Sequence, residues 1–326
     1  MEAVFLQLSM IVKAAGLSAF LLTITGLSSA AVTTPEDGTT EVSFSSYRSH
    51  DHTFSQNRNV SAWQNISGST RAMVQTSEIQ LGDDNTKQYG AIRKFAAGFY
   101  FSSLKSSTSI WLDQYESARA SGGFRIDSRY YADRKTSIVC AITKMPVIDL
   151  DTLGFQGKPL LTTDSYTVKA ERVLTADKDF AIGLTRGLYS DDNKNTAYSL
   201  QYGQTVYDRG RDRLRIGAYG YKVNWDTVSQ WYGNPLSSKS YGVTTAYGVR
   251  DGKGRWTTTF TGAWGADNDN PIEFWPSLQL QYRYQASDKS SVMIGFASGL
   301  RTDKASELEG LRHNYRQINA AYQANW

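Results

Sequence analysis

From Phe274 to Trp326 this chain repeatedly alternates apolar and polar side chains with a period of two, the spacing of an extended strand and not of a helix. In Leu278-Gln279-Leu280-Gln281-Tyr282-Arg283-Tyr284-Gln285 every second side chain is apolar or aromatic. The last stretch, Ile318-Asn319-Ala320-Ala321-Tyr322-Gln323-Ala324-Asn325-Trp326, does the same with Ala321 the one break. Strands of this kind show one greasy and one wet face. They build either a soluble sandwich or a membrane barrel, which differ in where the apolar face points.

Composition bears on that choice. With 20% charged residues and a negative mean hydropathy, the chain does not read as a helical membrane protein. Its 20 Tyr and 8 Trp suit a barrel whose interfaces carry aromatic girdles. The net charge of +4 is too mild to argue for nucleic acid, and no Lys/Arg run stands out. Cys140 is the single cysteine, so no intrachain disulfide forms and the fold must hold without one.

The first 30 residues read as an export signal. Lys13 precedes an apolar run from Ala14 to Leu27, followed by the small residues Ser28-Ser29-Ala30 at the expected cut. A start at Met10 gives a compact basic leader, whereas Met1 to Ser9 contains Glu2. The run falls short of the ~20 residues that span a bilayer, which argues against a retained anchor. Residues 31–40 then form a short periplasmic leader, and 41–326 the barrel domain.

Alternation and turn residues mark sixteen strands: 41–48, 59–67, 69–81, 89–102, 107–117, 121–132, 135–146, 163–174, 179–189, 195–207, 212–224, 238–250, 254–266, 273–286, 290–301 and 312–325. Fourteen result if the first pair is irregular, and twelve is the count of one rival barrel type discussed below. Tight polar turns such as Asp251-Gly252-Lys253-Gly254 and Ser287-Asp288-Lys289-Ser290 follow even-numbered strands. Between them fall mostly longer links, among them 50–58, 82–87, 145–162, 225–239 and 302–311. The expected fold is therefore an all-β, transmembrane, antiparallel barrel of the outer-membrane type, with short turns and both termini periplasmic.

If the apolar face meets lipid, the alternate positions face inward. They comprise Lys94, Arg125, Asp127, Arg129, Lys169, Glu171, Arg215, Gln279, Gln281, Arg283, Arg301, Gln317, Asn319 and Gln323. Several arginines and lysines against few carboxylates favour anionic solutes. The competing account is that these charges pair across the wall and only stabilise the interior. The aromatics Trp111, Tyr131 and Tyr219 are candidates for stacking on sugar rings, or for filling the interior.

Catalytic and metal motifs are scarce. His50-Asp51-His52 is the one close histidine pair and lacks evident third and fourth ligands, so no metal is expected. No Gly-x-Ser-x-Gly elbow occurs and His313 has no recognisable partner, so neither an enzyme nor a cofactor is expected.

The strand from Asp164 to Glu171, the strand ending in Tyr189-Ser190-Asp191-Asp192-Asn193-Lys194-Asn195, and the loop Trp231-Tyr232-Gly233-Asn234-Pro235 leading into Tyr241 carry a resemblance. Over roughly residues 120–326, through turn placement more than any invariant motif, the chain resembles the carboxyl-terminal barrels of exopolysaccharide export porins of the poly-N-acetylglucosamine and cellulose secretion type. The resemblance implies a sixteen-stranded outer-membrane channel for a glycan in a Gram-negative cell. That family carries a periplasmic helical-repeat region where this chain has a short leader, so either a separate periplasmic export partner supplies that role or this barrel does something else. Trp326 resembles the terminal aromatic by which the outer-membrane assembly machinery recognises its clients. A second resemblance is to autotransporter barrels, which have twelve strands; with it goes the alternative of a plugged structural or surface-binding barrel without transport, such as an adhesin.

Overall fold

The computed structural model describes residues 38–49, 53–84, 88–116, 121–147, 161–229, 235–268, 270–302 and 312–325. They form sixteen strands. In the first half these are β1 (Gly38–Ser49), β2 (Thr53–Ser67), β3 (Thr70–Asp83), β4 (Gln88–Ser102), β5 (Ser106–Glu116), β6 (Ser121–Tyr131), β7 (Thr136–Pro146) and β8 (Thr162–Thr175). The second half has β9 (Lys178–Tyr189), β10 (Lys194–Asp208), β11 (Asp212–Trp225), β12 (Ser237–Asp251), β13 (Gly254–Asp267), β14 (Glu273–Ser287), β15 (Ser290–Thr302) and β16 (Arg312–Asn325).

Every strand pairs antiparallel with its sequence neighbours, and β1 closes on β16 from Thr39↔Asn325 to Ser49↔Tyr315. Closure leaves no edge, so every strand finds two hydrogen-bonding partners, the condition for a sheet to survive in hydrocarbon. The even count and the antiparallel order put Gly38, Asn325 and the turns after β2, β4, β6, β8, β10, β12 and β14 at one end, the turn end. The remaining connections lie at the loop end.

The turns are chemically tight. Oδ1 of Asp133 accepts hydrogen bonds from the backbone N–H of Lys135 (2.6 Å) and Thr136 (2.8 Å), which closes the β6–β7 turn. These donors, Lys135 first, hold the Asp133 carboxyl below its usual range. In the β12–β13 turn Gly252 has φ +55°, a conformation that side chains disfavour. A short turn Ser103-Leu104-Lys105, absent from the sequence reading, joins β4 to β5. Ser103 Oγ accepts there from the N–H of Lys105 and Ser106.

The alternating apolar set faces outward. Phe95, Val168, Ile182, Leu200, Phe260 and Ile294 are all exposed, as a lipid-facing set must be outside a bilayer. Toward the turn end this surface carries Tyr247, Trp256, Tyr282 and Tyr284, with the Trp256 and Tyr282 rings 4.4 Å apart. Toward the loop end it carries Tyr241, Trp264 and Phe274, with the last two rings 4.9 Å apart. Trp256 and Trp264 on β13 are separated by about 26 Å along the strand, or about 20 Å in height at the ~40° tilt of a barrel. Two aromatic girdles thus bracket an aliphatic band of roughly hydrocarbon height. Near the loop end the outer face turns ionic, with Arg93–Glu78 at 3.1 Å and Lys144–Asp164 at 3.8 Å.

The expected long link 50–58 is mostly strand: β2 begins at Thr53, and its polar residues pair with β1 and β3 through Arg48↔Phe54 and Thr53↔Asp83. Strand pairing extends there past the apolar band, where water, not lipid, meets the outer face. The apolar signal therefore fades before the ladder does.

Candidate functional site

The polar half of the alternation occupies the concave inner face. Three contacts require this, because side chains on a convex surface diverge and cannot meet over an intervening strand. Arg125 on β6 donates from Nη2 to Oε1 of Gln75 on β3 (3.1 Å). Arg129 on β6 reaches Oε2 of Glu171 on β8 (2.7 Å), and Arg215 on β11 reaches Asp179 on β9.

Most expected inner charges are paired. Arg125 binds both oxygens of Asp113, at 3.0 and 3.1 Å, while its guanidinium lies 5.0 Å from the Trp111 ring centroid. The Asp113 side chain is fully buried. Lys94 Nζ donates to the same Gln75 Oε1 that Arg125 uses (2.9 Å). With Tyr115 at 2% exposure, these groups fill the interior beside β3–β6. Lys169 and Arg129 share Glu171, with Lys169 Nζ 2.9 Å from Oε1. Asp127 accepts from Ser109 Oγ at 3.4 Å.

The β14–β16 group is amide-rich. Gln281 donates to the Met293 sulfur, and Gln279, Asn319 and Gln323 are half-buried on the same face. Through the ladder Gln323 stands opposite Glu41 of β1, and Asn319 opposite Ser45. Arg283 is exposed. The side chain of Arg301 and all of Trp326 lie outside the described residues, as do His50-Asp51-His52 and the His313 side chain.

The candidate sugar-stacking aromatics divide. Tyr219 is 6% exposed and packs inside the wall, Trp111 lies under Arg125, and Tyr131 stays exposed near the turn end. The sequence reading missed Arg213, Arg250 and Arg255, which share the inner face with Arg215 and Arg283. Their signal was parity: Arg213 is two residues from Arg215, and Arg255 adjoins the outward Trp256.

No protein-family model matches this chain, and no curated protein matches it in sequence. Among solved structures, a "Bacterial polysaccharide outer membrane secretin" superimposes with a TM-score of 0.71, covering 88% of this chain and 98% of that one at 12% identity. The fold is that of an outer-membrane barrel. CdiB from Acinetobacter baumannii superimposes with a TM-score of 0.54, covering 88% of this chain and 60% of that one at 10% identity. At these identities the likeness is one of backbone architecture and carries no side-chain role over to this chain.

Proposed function

We propose that this chain is a channel for hydrophilic solutes in the Gram-negative outer membrane, with its turns and both termini on the periplasmic side. The observation that carries the reading is the closed circumference of sixteen strands with a polar concave face. Barrels of that width leave room for a water-filled passage, whereas eight strands are filled by side chains. The specific version is export of an exopolysaccharide with the help of a separate periplasmic partner. The expected resemblance to glycan export porins and the 0.71 superposition on a polysaccharide secretin support it. Delivery by a cleaved signal, recognition of Trp326 by the assembly machinery, and the absence of catalysis complete this reading.

The purified chain in a planar lipid bilayer is expected to give stable conductance steps with anion preference. A barrel that inserts and gives no steps would sink the channel reading. The rival is a plugged structural or surface-binding barrel, favoured locally by the Asp113–Arg125–Gln75–Lys94 network that occupies the interior beside β3–β6. Silence in the bilayer is the outcome that the rival expects.

A further inference from the structure

The inner face at the turn end of β11–β14 gathers positive charge that the wall does not neutralise. Arg250, Arg255 and Arg283 stand directly opposite one another on three successive strands, through the pairs Arg250↔Arg255 and Arg255↔Arg283. Arg213 stands opposite Gly248, one row deeper. Because Gly248 has no side chain, the Arg255 guanidinium lies over it; a Cβ added at Gly248 would sit 3.3 Å from Arg255 Nη2. This brings Arg255 toward Arg213. The charges of Arg213, Arg250 and Arg283 all act on Arg255, opposed by the single carboxylate of Asp208. That carboxylate is 3.8 Å from Arg213 Nε.

Like charges directly opposite in a ladder are unfavourable. Elsewhere on the inner face several cations are matched by carboxylates, Arg125 by Asp113, Arg129 and Lys169 by Glu171, and Arg215 by Asp179, while the two without one among the described residues stand apart, Lys94 on the amide of Gln75 and Arg71 over the Tyr100 ring. Among the described residues Arg250, Arg255 and Arg283 have no such partner, and Arg250 and Arg283 are exposed to solvent. Guanidiniums are also the side chains whose fork geometry fits carboxylate and phosphate in two parallel hydrogen bonds. An incoming oxyanion would relieve the repulsion and meet several forks at once.

We propose that Arg213, Arg250, Arg255 and Arg283 form a binding site for an acidic polysaccharide at the turn-end mouth of the lumen. The forks hold successive anionic groups of the polymer. The site deepens the channel reading, on which it rests only for the claim that polymer passes this mouth; binding itself is separable from conduction.

Polygalacturonate serves as the probe, with dextran as the neutral polymer and galacturonate as the single-charge control. Titration calorimetry on the full chain in detergent micelles is expected to show polygalacturonate binding that weakens steeply with salt, with no dextran binding and far weaker binding of galacturonate. The double variant Arg255→Gln/Arg283→Gln is expected to weaken polygalacturonate binding at least tenfold, while Arg93→Gln on the outer face leaves it unchanged. If the double variant does not fold, Arg255→Lys is measured instead; it keeps the charge, loses the fork and should bind several-fold more weakly. No polygalacturonate binding by the native chain, or equal binding by native and variant, overturns the site. Arginine-dependent binding by a barrel without conductance would keep the site and remove the channel, and conductance without such binding would do the reverse.

Discussion

The guanidinium of Arg215 reaches the carboxylate of Asp179 across Gly203, so an ion pair between β11 and β9 passes over the one position of β10 that has no side chain to obstruct it. A Cβ added at Gly203 would overlap that guanidinium. At Gly220 on the outer face of β11, by contrast, an added Cβ meets nothing within 4 Å.

Gly203→Val is therefore expected to break the Arg215–Asp179 pair and destabilise the barrel by about 1–3 kcal/mol, the usual cost of overpacking. Gly220→Ala should stay within about 0.5 kcal/mol of the native chain, as surface substitutions do. Urea unfolding in lipid vesicles, followed by tryptophan fluorescence, measures both. Equal midpoints for the two variants would contradict the geometry.

The Asp113–Arg125 pair supplies a second prediction. Asp113 is fully buried and the Arg125 side chain is 24% exposed, so removing one partner leaves a charge that water only partly reaches. Asp113→Ala is expected to cost about 3–5 kcal/mol, whereas the double change Asp113→Leu/Arg125→Met should cost much less than the sum of its parts. The same vesicle-unfolding assay reads this coupling. Strict additivity would mean that the pair acts as two independent groups.

What the sequence shows and what it hides divide along a physical line. A period of two is a property of each strand alone, so β3 to β16 are legible within a residue or two, and the outward position of Phe95, Ile182 and Ile294 follows from it. β2 begins at Thr53 and not at the expected 59, because Thr53 to Arg58 lie above the apolar band, where the lipid imposes no pattern. Which inner charges meet is a property of several strands at once. The stagger that sets Arg125 against Gln75 three strands away, or places Arg255 over Gly248, leaves no trace in any single segment. Arg250 and Arg255 fall inside the expected strands 238–250 and 254–266, where parity puts them on the wet face, but only the ladder sets them beside each other and beside Arg283.

The β6–β7 turn predicts a pH dependence. Its backbone donors lower the folded-state pKa of Asp133, so this contribution to stability is fully present above the unfolded-state value of about 3.9. It is lost as pH falls through the lower folded-state value. Asp133→Ala should unfold earlier than the native chain at neutral pH, and the gap should close as the solution is acidified. Midpoints of thermal unfolding across an acid series provide the measurement; a gap that widens in acid would contradict the sign.

Cys140 tests the direction of the apolar face with no mutation at all. It is exposed and stands on β7 between Ile138 and Ile142, both of them outward, and its ladder partner on β8 is the outward Val168. If that face meets hydrocarbon, a fluorophore attached to Cys140 before refolding should be quenched strongly by brominated acyl chains and weakly by aqueous iodide. Moving the cysteine by one residue, as Cys140→Ser with Val139→Cys, carries the label to the inner face because successive strand residues point to opposite sides. The expected result is reversed access, with iodide quenching more and brominated lipid less. A label at Cys140 quenched chiefly by iodide would place water where the two aromatic girdles place lipid, and the barrel would then have its faces exchanged.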